Sequence, residues 1–509
     1  MQKPPFGNGQ AGAFNCSTAT VACSTVARFA YLCTMIILTT LLLYFALLFG
    51  VSRLAGGRGS SNATFFTAGR HSPWRMVAFG MVGASISGVT FVSVPGMVLH
   101  SDMTYLQMCL GFIPGYFIVA FVLLPLYYKL GLTSIYAYLG ERLGPVSYKT
   151  GAWFFLLSKM SGAAVAFYVV CGLLQRFVFD GWGVPFVITV TLLVLLIWLY
   201  TRRGGIKTLV WTDALQTLCL FSALILIMVN VASALGLDFV GAAKAVFNHP
   251  MSRVFVFDDW LARQNFWKQF LSGIFVVVVM TGLDQDKMQK NLTCRTLRDA
   301  QKDMCSYGFA FLPANLLFLS LGVLLVMLAS SNGVALPQQG DDLLPMFAAT
   351  GHLGVVVEAL FTLGIVAASF SSADSALTSL TTSFCVDVCG RPDDERLRHR
   401  VHFLMGVVFV AFILLFRLVN STSVIDAIYI LVSYTYGPLL GLFAFGLFTK
   451  RSVNDRAVPF IAVASPLLCL VLDWAVNRFV GYKFGYELLM LNGLITFVGL
   501  LFSHRRSER

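Results

Sequence analysis

Long apolar runs recur along almost the whole chain, from Tyr31 to Phe502. A helix needs about 20 consecutive apolar residues to cross a bilayer, and inside hydrocarbon only helices and closed barrels satisfy their own backbone polar groups. Only 12% of the residues are charged, whereas an ordinary soluble domain has about 25%. These features exclude a soluble globular protein and predict an all-α polytopic membrane protein.

The polar interruptions between these runs predict about 13 transmembrane helices. The predicted spans are 31–51, 76–97, 106–128, 150–176, 183–200, 207–235, 269–285, 303–330, 355–384, 401–419, 422–448, 457–479 and 485–503. The first run is too long for the core of a signal peptide, so we expect it to remain as a span. The remaining segments predict an external lead at 1–30, one transmembrane domain at 31–503 and a cytoplasmic tail at 504–509.

Basic residues are concentrated in alternate loops. The largest groups lie at 287–302 and 391–400, and most of the 36 Lys and Arg residues fall on the same side as these two loops. Loops rich in Lys and Arg face the cytoplasm, and the number of helices is odd. The prediction is therefore a multi-pass protein of the inner or plasma membrane, with its N-terminus outside and its C-terminus in the cytoplasm. This bias accounts for the net charge of +12, so nucleic acid is not a predicted partner.

The second predicted helix is rich in small and hydroxyl residues. Residues 80–96 contain four glycines, three serines, a threonine and a proline. Such residues can break a helix whose freed backbone groups face a wet cavity, or they can let helices pack closely. Composition alone favours neither interpretation.

The ninth predicted helix carries oxygen ligands on one face. Ser371, Asp374 and Ser375 are spaced at i, i+3 and i+4, so their side chains are neighbours on a helix. An ionisable residue inside a span usually marks an ion or substrate path, and oxygen ligands suit hard cations. Asp213 and Lys159 also lie inside predicted spans. For both, the alternative is a structural charge with a partner, and for Lys159 a further alternative is that its side chain snorkels to the interface.

Four stretches of the chain resemble the sodium/solute symporters, the family of the proline, sugar and sialic-acid cotransporters. They are FFTAGRHSPW at 65–74 with the small-residue helix that follows, YTRRGGIKTLVWTDALQ at 200–216, DQDKMQK at 284–290 and YGPLLGLFAFGLFTKR at 436–451. Their order matches that of the family. The resemblance implies a LeuT-like core of 5+5 helices in inverted repeats, at 76–235 and 269–448, flanked by 31–51 and 457–503. In such folds ion and substrate bind at the midplane beside broken helices, and Gly282 is the expected break in the seventh helix.

The resemblance also implies the residues of three sites. The sodium site would use the backbone carbonyls of Gly83, Ile86 and Ala368 and the hydroxyls of Ser371 and Ser372. A possible second cation site would use Asp213, Ser371, Asp374 and Ser375, and Asp374 could titrate instead of binding sodium. The substrate-facing residues would be Ser85, Ser87, Thr90, Lys159 and Thr281.

These features predict a sodium-coupled symporter that imports a small polar or anionic organic solute by alternating access, with Na+ as its coupling ion. The alternatives are a proton-coupled symporter and a solute sensor without turnover. An enzyme is not predicted, because all seven His residues lie in or near loops and neither HExxH nor GxSxG occurs. The predicted partners are the solute, Na+ and the lipid bilayer, and we expect the protein to function as a monomer.

Overall fold

The computed structural model describes residues 16–56, 61–260, 262–349, 353–419, 424–482 and 484–503. Within these ranges the chain is almost entirely helical, and its single β-bridge joins Ser72 to Cys294. The predicted all-α class is therefore confirmed.

The main helices are numbered in chain order and are connected by loops and short helical turns. They are α1 Cys16–Gly56, α2 Trp74–Ser85, α3 Gly88–Gly96, α4 Tyr105–Lys129, α5 Pro145–Leu174, α6 Phe186–Gly204, α7 Ile206–Ala234, α8 Phe239–Asn248, α9 Phe266–Gly282, α10 Gln285–Asn291, α11 Leu297–Ser331, α12 Val355–Val388, α13 Glu395–Val419, α14 Val424–Thr435, α15 Gly437–Phe448, α16 Val458–Val480 and α17 Leu488–Phe502.

The helices match the predicted spans closely. In the described residues, nine helices are long and apolar enough to cross a membrane, and two bent pairs bring the number to eleven. The remaining predicted spans, 422–448 and 485–503, contain α14 with α15, and α17. Each of the thirteen predicted spans thus contains a helix within the described residues.

The first helix is longer than the sequence predicted. It begins at Cys16, so the second half of the predicted polar lead is helical. The reason is that no Gly or Pro occurs between Cys16 and Phe49, and these are the two residues that most strongly oppose a helix. The first half of the lead, 1–15, and the predicted tail, 504–509, lie outside the described residues.

Among the described residues two spans are broken by a sharp bend, and each is the first helix of a predicted repeat. The axis bends by 58° between α2 and α3 and by 69° between α9 and α10. The second break follows Gly282 directly, where the Asp284 carboxylate caps α10 by accepting from the backbone N–H of Asp286 at 2.8 Å. α7 and α12 pack against each other and against α2, and α12 also contacts α3. The first break is therefore enclosed by the sixth and ninth spans.

The glycines of the second span serve both purposes that its composition allowed. The helix is broken between Ser85 and Gly88, and a side chain at Gly83 would overlap Thr217 of α7, while one at Gly88 would overlap Ser369 of α12. Close packing therefore holds the broken segment against its two neighbours.

We expect Gly83→Ala to lower the midpoint of thermal unfolding in detergent, because its methyl group would collide with both the side chain and the backbone of Thr217. Overpacking of this kind costs about 1–3 kcal/mol. Gly172→Ala is the matched control, since a Cβ there meets nothing within 4 Å. Equal unfolding midpoints for the two variants would contradict the close packing of α2 on α7.

Candidate functional site

The break after α2 presents backbone oxygens to the ninth span. The last four carbonyls of a helix have no partner within it, and here they include those of Gly83 and Ala84. Ile86 leaves helical geometry at φ −85° and ψ 89°. The hydroxyl of Ser372 donates to the carbonyl oxygen of Ala84 at 3.3 Å and to that of Ala368 at 3.2 Å. One side chain of α12 thus joins oxygens from both spans.

The five residues of the predicted sodium site lie at this contact or within two residues of it along the chain. Gly83 directly precedes Ala84, Ile86 follows it two residues later, and Ala368 and Ser372 share a hydrogen bond. Ser371 is fully buried and turns towards α7, where its hydroxyl donates to Asp213 Oδ1 at 2.7 Å. The ninth span therefore meets the second span through Ser372 and meets α7 through Ser371.

The predicted second cation site is a buried polar cluster that already contains an ammonium group. Asp213 Oδ2 lies 2.7 Å from Lys290 Nζ of α10, while its Oδ1 accepts from Ser371. Asp374 Oδ2 accepts from the hydroxyl of Tyr200 at 2.6 Å, and its Oδ1 accepts from Ser375 at 3.3 Å. All six residues are at most 3% exposed. A cation that bound to Asp213 would have to compete with Lys290.

A cavity of about 200 Å³ lies beside the first break. All five residues predicted to face the substrate line it, and so does Ser372, which connects the cavity to the predicted sodium site. The broken second span contributes hydroxyl groups to the wall. One of them, that of Ser85, accepts a hydrogen bond from Tyr307 of α11 at 2.5 Å. Much of the remaining wall is aromatic: Tyr105, Phe112, Tyr116, Tyr307, Phe311 and Tyr436. The cavity lining therefore combines polar groups with carbon-rich surfaces.

Four charged side chains form part of the cavity wall, namely Asp284, Asp286, Lys159 and Lys287. Lys159 Nζ bridges the two carboxylates, at 3.1 Å from Asp284 Oδ2 and 2.7 Å from Asp286 Oδ2. The hydroxyl of Tyr436 also donates to Asp284 Oδ2, at 2.9 Å. Lys287 Nζ donates to the carbonyl of Ala84 at 2.9 Å and lies 3.9 Å from Asp286 Oδ2. Lys159 Nζ therefore lies within hydrogen-bonding distance of two carboxylates, whereas Lys287 Nζ lies within that distance of neither.

Two buried lysines were not predicted from the sequence to lie near these sites. Lys287 and Lys290 belong to a predicted basic cytoplasmic loop, but the structure buries both in α10, at 8% and 1% exposure. Burial is possible because the Lys287 ammonium donates to the Ala84 carbonyl and the Lys290 ammonium pairs with the Asp213 carboxylate. The available signal was the i, i+3 spacing of the two lysines directly after the predicted break at Gly282, with two acids beside them.

Comparisons with known proteins agree with this architecture. The model of the sodium:solute symporter family matches residues 65–458. The sodium/sialic acid symporter of Aliivibrio fischeri is 25% identical over 86% of this chain and 88% of its own length. That of Proteus mirabilis is 24% identical over 79% and 82%. A solved Na+-coupled sialic acid symporter in a substrate-bound outward-open state superposes with a TM-score of 0.79 at 20% identity, covering 92% of this chain and 97% of that one. The fold is thus the predicted LeuT-like transporter fold.

Proposed function

The chain belongs to the sodium:solute symporter family, and from this membership we propose that it imports a small organic anion together with sodium by alternating access. It is a multi-pass membrane transporter with Na+ as its coupling ion, and it is not an enzyme. The observation that carries the proposal is the pair of hydrogen bonds made by Ser372, one to a carbonyl of the broken second span and one to a carbonyl of the ninth span. Ser372 also lines the cavity that contains the lysines.

The sodium site is proposed at the carbonyls of Gly83, Ile86 and Ala368 and the hydroxyls of Ser371 and Ser372. Five neutral oxygens from two spans suit a small hard cation. The oxygens of Ala368 and Ser372 already lie within hydrogen-bonding distance of each other. A dehydrated ion here would link the two spans, and this supports a role in stabilising one state of the transport cycle.

The proposed substrate carries a carboxylate and binds in the cavity against Ser85, Ser87, Thr90, Lys159 and Thr281. Relatives that match most of the chain are named as symporters of sialic acid, which is an anion at neutral pH. Hydroxyl groups fix the orientation of a polar ligand, whereas aromatic walls pack against its carbon skeleton. Both kinds of surface line this cavity.

The cluster of Asp213, Ser371, Asp374 and Ser375 is proposed to work with one positive charge, which Lys290 supplies. Its ammonium lies 2.7 Å from Asp213, where a second sodium would have to bind. We therefore propose that one sodium accompanies each solute molecule in the native protein.

We propose that the protein has the membrane orientation and the monomeric state predicted from its sequence. Removing Lys287 and Lys290 from the cytoplasmic loops leaves Arg295, Arg298 and Lys302 there, so the bias of basic loops keeps its sign. The N-terminus is proposed to lie outside and the C-terminus in the cytoplasm of the inner or plasma membrane. The proposed sodium and substrate sites are both built from residues of one chain, which supports function as a monomer.

Uptake into proteoliposomes tests the proposed function. The panel contains N-acetylneuraminate and lactate as anions, and glucose and proline as solutes without net charge. With a tenfold inward sodium gradient, we expect at least one anion to accumulate about tenfold, since the free energy of one sodium ion then equals about 1.4 kcal/mol. A membrane potential set by valinomycin should not change this value, because one sodium and one monovalent anion carry no net charge together.

Three outcomes would contradict the proposal. Accumulation of only the solutes without net charge would refute the anionic substrate, and accumulation with a proton gradient alone would refute sodium coupling. Potential-dependent accumulation of a monovalent anion would refute the stoichiometry of one sodium. Counterflow of labelled solute separates transport from sensing, because a sensor without turnover exchanges nothing across the bilayer.

A further inference from the structure

The cavity contains two lysines whose surroundings differ. Lys159 Nζ lies within 3.1 Å of two carboxylate oxygens, from Asp284 and Asp286. The ammonium of Lys287 donates to one neutral oxygen, the carbonyl of Ala84, and is 3.9 Å from Asp286, beyond the reach of a hydrogen bond. An ammonium has three donors. Lys287 therefore has the greater capacity to bind an anion that enters the cavity.

The position of Lys287 also places it beside the proposed sodium site. The Ala84 oxygen that accepts from Lys287 at 2.9 Å also accepts from the hydroxyl of Ser372 at 3.3 Å, and Ser372 is a proposed sodium ligand. Ala84 itself lies between Gly83 and Ile86, whose carbonyls complete that site. A fixed positive charge so close to the site opposes the binding of sodium, and burial strengthens this repulsion.

Charge balance makes sodium and an anion mutually favourable here. Asp284, Asp286, Lys159 and Lys287 carry two negative and two positive charges, and all four are at least partly buried in the cavity wall. Sodium alone would add an uncompensated positive charge, and an anion alone would add a negative one. When both bind, the charges cancel. Each ligand then raises the affinity for the other, and by thermodynamic linkage the two effects are equal in size.

We propose that Lys287 binds the carboxylate of the transported anion and thereby couples anion binding to sodium binding. This inference rests on the proposed function, because it assumes an anionic solute. Lys159 holds the two carboxylates in place, and Lys287 is the specificity-determining cation. In the absence of solute, its ammonium weakens the sodium site. The solute carboxylate forms an ion pair with the ammonium and removes that repulsion.

The test measures binding of 22Na+ to the purified full chain in nanodiscs without any organic solute. We expect Lys287→Met to lower the half-saturating sodium concentration about tenfold, equivalent to about 1.4 kcal/mol, because the opposing charge is gone. Lys287→Arg keeps the charge and should retain the wild-type value. Lys302→Met is the matched control, since Lys302 is exposed and lies at the start of α11, outside the cavity lining.

A second measurement adds each anion of the uptake panel to the same samples. An anion that the wild type accumulates should lower its half-saturating sodium concentration but leave that of Lys287→Met unchanged. Identical sodium binding by Lys287→Met and the wild type, without solute, would overturn the inference. This outcome is separate from failure of the proposed function, in which the wild type accumulates no anion at all.

Discussion

Ser372→Ala is expected to abolish sodium-stimulated uptake at ordinary sodium concentrations. The Ser372 hydroxyl contacts the carbonyl of Ala84 in the broken span and that of Ala368 in its own helix, so its removal takes away a ligand that lies between the two spans. An interaction of this type with a charged group contributes about 1.5–3 kcal/mol. We therefore expect the half-saturating sodium concentration to rise about 10- to 100-fold in uptake assays with proteoliposomes.

The matched control for this prediction is Ser379→Ala in the same helix. Ser379 is buried, and its hydroxyl donates to the Ala376 carbonyl at 3.0 Å, within α12. Loss of that local bond should leave sodium dependence unchanged. Ser371→Ala should weaken sodium dependence as Ser372→Ala does, since Ser371 is also a proposed ligand. Wild-type sodium dependence in both Ser371→Ala and Ser372→Ala would refute the site.

Much of the architecture follows from the physics of the bilayer. Apolar runs of sufficient length predict spans, and the concentration of glycine between Gly80 and Gly96 indicates that one span is unusual. The structure bends the chain there by 58°. The same reasoning finds Ser371 and Asp374, because oxygen-bearing side chains at helical spacing within a span need partners. These predictions depend on local patterns, which a sequence displays directly.

The residues that escaped prediction are those whose environment depends on distant contacts. A lysine close to other charges in sequence resembles a loop residue, and Lys290 is buried only because Asp213, from another span, lies 2.7 Å away. Lys287 depends in the same way on the Ala84 carbonyl. Likewise, the start of α1 at Cys16 could not be read from hydropathy, because a helix can continue beyond its apolar section.

The ion pair between Lys290 and Asp213 leads to the second prediction with a large effect. Removing one partner of a buried pair leaves an uncompensated charge, which costs about 3–5 kcal/mol. Lys290→Met should therefore reduce uptake at least about 100-fold at the sodium concentration that half-saturates the wild type. Asp213→Asn should be similarly impaired. The double variant Asp213→Asn/Lys290→Met carries neither charge, so we expect it to recover much of the lost activity.

Sodium itself should distinguish the two single variants. In Lys290→Met the carboxylate of Asp213 is open to a second sodium, which Ser371 and the neighbouring Asp374 and Ser375 could help to bind. High sodium should restore uptake with a second-order dependence. The uptake of a monovalent anion should then respond to membrane potential, because one net positive charge crosses with each solute and contributes about 2.3 kcal/mol per 100 mV. Asp213→Asn has lost the carboxylate, so high sodium should not rescue it. If Lys290→Met remained first-order in sodium and insensitive to potential, the ammonium of Lys290 would not be occupying a cation site.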